Sequence, residues 1–200
     1  MTSHDAPEGL RITPGGDRLV IRQENPDDHR DVREVHVRAF GDNDRVPGLV
    51  EALRVAEAPL PPMSYVAVVD ERVVGHVLLS AGRLDAPRRI VDVLSLSPLG
   101  VVPELQGRGI GTQLIAHALD EADRQGVPLV FLEGSPHYYG ARGFEGASGA
   151  GFRSPSLRIP DAAFQVARLS AHEPWMTGTF VYSEAFWAFD CVGLRANVAR

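Results

Sequence analysis

An α/β fold, with helices covering a sheet, is what this sequence predicts, and three observations predict it. The apolar segment 93–102 leads into a glycine-bearing turn, Gln106-Gly107-Arg108-Gly109-Ile110-Gly111-Thr112. A helical pattern follows, with Ile110, Leu114, Ile115, Ala118, Leu119 and Ala122 on one face. Two further apolar runs, 64–70 and 72–81, meet at Asp70-Glu71 and read as a hairpin. With 200 residues, 44% of them hydrophobic, the chain is long enough for one buried core.

Taken in order, residues 1–17 are polar and carry Pro7, Pro14, Gly15 and Gly16, which predicts a poorly ordered tail ahead of a single domain over 18–190. Leu19-Val20-Ile21 predicts a short strand. Asn25-Pro26-Asp27-Asp28 reads as a helix start, with Asn25 as cap, Pro26 in the first turn and two carboxylates at the positive end of the dipole. That helix should carry Val32, Val35, His36 and Phe40 toward the core, His36 as a packed side chain. A second helix is expected over 47–56, before Pro59-Leu60-Pro61-Pro62. His76 follows Gly75 in the second hairpin strand and reads as a hydrogen-bonded strand residue; 83–89 reads as a polar connection.

The strand expected over 90–102 contains Pro98 and Gly100, both unfavourable inside a central strand. The helix after the glycine turn should end near Gly126, ahead of a strand over 127–132. Ser135-Pro136 then starts a short helix, which Gly143-Phe144 turns back toward the sheet. Residues 145–161 should be a long loop, and 163–169 and 177–182 two strands. Trp175, Phe180, Tyr182, Phe186, Trp187 and Phe189 form an aromatic cluster that can complete the core, close a pocket or present a homodimer face; core completion is the first expectation.

Composition removes several classes of function. A net charge of −6 argues against general nucleic-acid binding. All basic residues are arginine, so a lysine Schiff base and a lysine-bearing phosphate loop are excluded. Cys191 is the only cysteine, which excludes an intrachain disulfide and a cysteine metal cluster, and no metal constellation is visible. No apolar run reaches membrane-spanning length, and 1–17 lacks the basic-then-apolar order of a signal peptide; a cytoplasmic protein acting away from the membrane is expected.

The glycines at 107, 109 and 111 leave backbone N–H groups uncovered at a helix start, where the helix adds its own unpaired donors and its dipole. Such a turn is built to cradle phosphate. A dinucleotide-binding unit is one reading, with Glu133 as its ribose carboxylate. Against it, Leu114 stands where close helix packing wants a third glycine, and Val-Pro-Glu-Leu-Gln separates strand from glycines.

Val101-Val102-Pro103-Glu104-Leu105-Gln106-Gly107-Arg108-Gly109-Ile110-Gly111 resembles the coenzyme-A signature of the GNAT superfamily of N-acetyltransferases, Gln/Arg-x-x-Gly-x-Gly/Ala after a strand ending Val-x-Pro. Tyr139-Gly140-Ala141-Arg142-Gly143-Phe144 resembles the family's later Tyr-x-x-x-Gly-Phe block. The likeness covers about 19–147 and, more loosely, a C-terminal part seen in one bacterial branch of acetyltransferases. It implies a mixed, mostly antiparallel sheet flanked by helices, in which strand 90–102 parts from strand 127–132 and admits the pantetheine arm. Acetyl-CoA is then the co-substrate, held by Val101, Val102, Gln106, Gly107, Arg108, Gly109, Ile110, Gly111 and Thr112.

The implied reaction is acetyl transfer to a primary amine by direct attack in a ternary complex, with main-chain donors near Val101 polarising the thioester carbonyl. Tyr139 would stabilise the departing thiolate, Tyr138 being the neighbouring alternative. Relatives place a basic glutamate on the splayed strand, where this chain has Ser95 and Ser97, with Asp92 only at the start. Glu133, or a water chain, is therefore the candidate base. The acceptor stays open among polyamines, amino acids, antibiotics, peptide N-termini and protein lysines. A GNAT-like module that binds coenzyme A without turnover is the alternative.

Overall fold

The computed structural model of the chain describes residues 9–12, 18–41 and 44–193. Its elements run β1 (Gly9–Ile12), β2 (Arg18–Gln23), α1 (His29–Phe40), α2 (Arg45–Arg54), β3 (Met63–Val69), β4 (Arg72–Asp85), β5 (Ile90–Val101), α3 (Ile110–Arg124) and β6 (Leu129–Glu133). The C-terminal part adds α4 (Pro136–Gly140), β7 (Glu145–Gly146), β8 (Phe152–Arg153), β9 (Phe164–Arg168), β10 (Gly178–Tyr182) and α5 (Glu184–Ala188). The strands join one sheet in the order β1-β2-β3-β4-β5-β6-β9-β7, with β10 beside β4 and β8 beside β10. All pairs are antiparallel except β5 with β6 and β10 with β8. The mixed, mostly antiparallel sheet expected from the sequence is therefore present.

The β3–β4 hairpin forms because Asp70 and Glu71 take φ values of 47° and 63°, the paired left-handed geometry that suits strand twist. Ahead of α1, Asn25 accepts from the Asp27 N–H at 3.0 Å while Asp28 accepts from the Asn25 N–H at 2.9 Å, a reciprocal cap. On the opposite face of the sheet, α3 buries Ile110, Leu114, Ile115, Ala118 and Ala122. Each of its larger apolar side chains contributes about 1.5–3 kcal/mol on full burial, which holds the helix start against β5. Two apolar clusters thus lie on either side of the sheet, one under α3 and one toward α2, α5 and the C-terminal aromatics.

Several expectations are corrected. Four residues of the stretch read as a tail, Gly9–Ile12, pair with β2, in keeping with the alternation Leu10-Arg11-Ile12; residues 1–8 and 13–17 lie outside the described residues. The strand read as ending at 81 continues to Asp85, because β10 takes up its outer edge there. Phe40 does not reach the core: at the C-terminus of α1 it is 46% exposed. The expected loop 145–161 holds two short strands, and the aromatics at 180, 182 and 186 complete the core, Phe180 stacking on Phe131 at 4.5 Å. Among the described residues no helix is long and apolar enough to cross a membrane.

Candidate active site

The site begins where the sheet opens. β5 and β6 pair in parallel at only two positions, Leu94 with Val130 and Ser95 with Phe131, and β5 then runs on to Val101 without β6. The register against β4 slips between Val77 and Leu79, leaving Ser97 and Pro98, joined by a cis peptide bond, opposite the single residue Leu78. Pro98, which offers no N–H, thus sits at the bulge rather than in a regular ladder. The expected parting of these strands is present, and it leaves an unpaired edge of β5 facing the end of β6.

Beyond Val101 the chain turns through Pro103–Leu105 into the glycines. Gly107 and Gly109 have φ of 73° and 84°, a left-handed region where side chains are strained, and nothing lies within 4 Å of either missing Cβ. Gly109 caps α3 with no side-chain bond to the helix start, so the first N–H groups of α3 keep their capacity for a ligand. Gln106 turns back and donates to the Val101 carbonyl at 2.9 Å. Together these backbone segments wall a groove of about 510 Å³. Its lining includes Val101, Gln106, Gly107, Gly109, Ile110, Gly111, Thr112 and Tyr139, all singled out in the sequence.

Two residues assigned to the coenzyme do not line it. Val102 is buried in the core and spends its N–H on the Val74 carbonyl at 2.9 Å. Arg108 is exposed outside the groove. Conversely, Leu99, Leu105, Tyr138 and Arg142 line the groove without having been picked out as coenzyme contacts. Arg142 donates from Nε to the Thr112 hydroxyl at 2.9 Å and lies over the Tyr138 ring at 3.7 Å, fastening α4 to the start of α3. Its signal was present, since it stands inside the Tyr-x-x-x-Gly-Phe block, one helical turn after Tyr138. Tyr138 and Tyr139 both border the groove: the Tyr138 hydroxyl rests where a Cβ at Gly111 would be, and the Tyr139 ring rests on Gly134.

A second cavity, of about 340 Å³, opens on the other side of the parting strands. Its walls come from Phe40, Arg45, Val46 and Leu49, from β5 residues Leu96 to Leu99, from Glu133 and Tyr139, and from Tyr182, Asp190, Cys191 and Gly193. Leu99 and Tyr139 belong to both spaces, so the groove and the cavity meet at those two side chains. Burial pushes the Tyr139 hydroxyl up to about 12, with Tyr138 adding to this and Arg142 opposing it. Tyr139 is therefore protonated throughout the neutral range. Full proton transfer to an ordinary thiolate, whose thiol titrates at about 8.5, is uphill for such a phenol, so its chemistry is hydrogen-bond donation.

Glu133 takes the Gly193 N–H on Oε2 at 2.9 Å, while Oε1 is buried and has no hydrogen-bond partner among the described residues. Burial raises its carboxyl above the ordinary range, against the opposing influences of Tyr182, Gly193 and Arg158. The buried Tyr182 hydroxyl is raised well above its usual value, first by burial and then by the Glu133 charge. A raised carboxyl thus lies beside the buried Tyr182 hydroxyl in the cavity that Tyr139 shares with the groove, the setting of a candidate proton acceptor.

Known proteins place this geometry. The acetyltransferase (GNAT) domain family matches residues 20–147. An uncharacterized N-acetyltransferase of Escherichia coli, YjhQ, is 34% identical over 159 residues, 76% of this chain and 84% of that protein. The E. coli GNAT N-acetyltransferase YhbS, solved in complex with CoA, superposes with a TM-score of 0.73 at 28% identity over 92% of this chain and 96% of its own. A GNAT acetyltransferase from Brucella melitensis, solved with acetyl-CoA, gives 0.67 at 30% identity over 84% and 97%. With its family signature on a glycine turn and its sheet parted at β5, this chain belongs to the GNAT family of N-acetyltransferases.

Proposed function

We propose that the protein moves an acetyl group from acetyl-CoA to a primary amine by direct attack, with both substrates bound together. The observation that carries this reading is the meeting of groove and cavity at Leu99 and Tyr139. In it, the N–H groups from Gly107 to Thr112 hold the pyrophosphate, and the free edge of β5 beyond Ser95 takes the pantetheine arm. Relatives solved with CoA and acetyl-CoA support that assignment. The second cavity takes the amine.

The residues then have separate duties. Glu133 accepts a proton from the incoming ammonium, and its raised carboxyl suits this better than an ordinary one. Tyr139 donates a hydrogen bond to the sulfur as the thiolate leaves. Holding the amine against the thioester supplies proximity, the larger part of the rate. The acceptor is a small molecule or a peptide amine that enters between Phe40 and the segment Asp190–Gly193.

Thiol release from acetyl-CoA, followed across a panel of polyamines, amino acids, aromatic amines and lysine peptides, tests the reading. Amine-dependent release is expected for at least one class. Coenzyme binding without release for any amine would instead mark a non-catalytic binding module. CoA should also raise the melting temperature where NAD at equal concentration does little; the reverse would remove the acetyltransferase reading.

A further inference from the structure

Outside the two ligand spaces, a chain of buried polar groups runs through the core toward β5. Glu24 follows β2, and its carboxylate is 3% exposed. It accepts from Arg54, including Nε at 3.3 Å, and from the Ser64 hydroxyl. The Ser64 oxygen lies 2.8 Å from His76 Nε2, and His76 Nδ1 lies 2.7 Å from His36 Nε2. Both imidazoles are fully buried. His36 Nδ1 ends the chain with no hydrogen-bond partner among the described residues, and it faces Gly100, where an added Cβ would stand 2.9 Å away.

The order of protons along this chain follows from donor and acceptor counting. Glu24 is ionised: burial would raise it, but His76, whose Nε2 stands 3.6 Å away, together with Arg54 and Ser64, outweighs that and brings it to about 2. A carboxylate only accepts, so the single Ser64 proton goes to Glu24. The Ser64 oxygen must then accept from His76, which puts the His76 proton on Nε2. Burial lowers both histidines, so each is neutral and carries one proton. His76 Nδ1 is therefore a lone pair, which accepts from His36 Nε2. The remaining nitrogen, His36 Nδ1, is a bare acceptor, the form that can rest against a Cα without thrusting a proton into it.

We propose that His36 is a positioning residue of the acceptor cavity, held in one tautomer by the proton order that starts at Glu24. The chain links β3, β4 and α1, and ends on the stretch of β5 that has left β6. His36 also stacks on Phe40 at 5.8 Å and 27°, and Phe40 is a wall of the cavity. Gly100, for its part, sits between Leu99 and Val101, both on the coenzyme groove. The tautomer thus sets how closely α1 approaches β5, and with it the width of the acceptor cavity. This rests on the reading of that cavity as the amine site.

Two measurements separate the proposal from that reading. Long-range proton–nitrogen correlation spectra of the nitrogen-15-labelled full chain report each tautomer without any substrate. Both rings should carry their proton on Nε2; a proton on Nδ1 of either ring, or a charged ring, overturns the proton order. In Glu24→Gln the new amide can donate to Ser64, turn the Ser64 proton toward His76, and so reverse both tautomers. Unreversed spectra would show that Glu24 does not set the order.

Steady-state kinetics with the best amine of the panel then reads the positioning role. Glu24→Gln should raise the acceptor KM by about tenfold, the scale of one buried donor left without an acceptor, with kcat and the acetyl-CoA Kd within about twofold. Gly100→Ala reaches the same contact from the other side: it should raise the acceptor KM while leaving both tautomers as in the parent. An unchanged acceptor KM in Gly100→Ala, or in a Glu24→Gln protein with reversed tautomers, overturns the positioning role. If no amine is turned over, the acetyltransferase reading fails while the spectra still decide the proton order.

Discussion

The groove proposed for coenzyme and the cavity proposed for the acceptor meet at two side chains but are built differently. The groove is lined by residues of a single span of the chain, Leu99 to Arg142, and it is open where side chains are missing at Gly107 and Gly109. The cavity draws its walls from four separate stretches, Phe40–Leu49, Leu96–Leu99, Glu133–Tyr139 and Tyr182–Gly193. A ligand that presents phosphates can be held by backbone donors at a helix start. A variable acceptor must be read by side chains, so the two halves answer to different constraints.

The largest test of that contrast falls on the shared residue. Tyr139→Phe keeps the ring and removes the donor, and should lower kcat by roughly tenfold to a thousandfold while the coenzyme Kd stays nearly unchanged. Single-turnover kinetics with a coenzyme titration checks this. A loss confined to Tyr138→Phe would shift the donor to the other tyrosine of the groove.

Next in size, Glu133→Gln should cost roughly tenfold to a hundredfold in kcat/KM and abolish its acid limb. In the parent, the base form is available only above a carboxyl raised by burial, so kcat/KM should climb with pH through a midpoint above the ordinary carboxylate range. An acid limb that survives the substitution would move the base to a water chain.

The groove is probed by its backbone. Gly109→Val must adopt a φ of 84°, a conformation that costs about 1–3 kcal/mol, so coenzyme binding should weaken by roughly tenfold to a hundredfold. Arg108→Ala, outside the lining, should change it by less than about threefold. Calorimetric titration of folded variants measures both, and equal losses would mean that the cradle does not depend on its main chain.

The smallest effect lies in acid stability. Glu24 is depressed to about 2, so its contribution is fully present above its unfolded value, near 4.5, and is lost as pH falls toward 2. Glu24→Gln should flatten the decline in melting temperature across that window and leave the rest of the profile similar in shape.

The same contrast explains what could be read from the sequence. Groove residues are neighbours in sequence, and their reasons are local: a glycine with positive φ, a helix start, a proline without a donor. Reading along the chain finds such features; the parting of β5 from β6 comes instead from the family resemblance, with Pro98 and Gly100 as its local marks. The cavity resisted. Phe40 looks like a core residue on a helical wheel, but its place at the end of α1 puts it at the cavity. Arg45 and Cys191 carry no local mark, because what brings them together is the tertiary fold. His36 and His76 could be read as packed, but not as partners, since 40 residues separate them.

β4 has one outer edge and two successive neighbours on it. β3 accompanies it from Arg72 to Leu79, and β10 from Gly82 to Asp85. Chains are made from the N-terminus, and their parts fold as they emerge. The last residue to line the groove is Arg142, whereas the far end of β4 must wait for a strand that begins at Gly178. The last wall of the second cavity, from Tyr182 to Gly193, is thus synthesised after every residue that lines the groove. Over that interval the backbone of Gly82 to Asp85 is an open sheet edge, the place where a stalled or truncated chain would pair with another copy of itself.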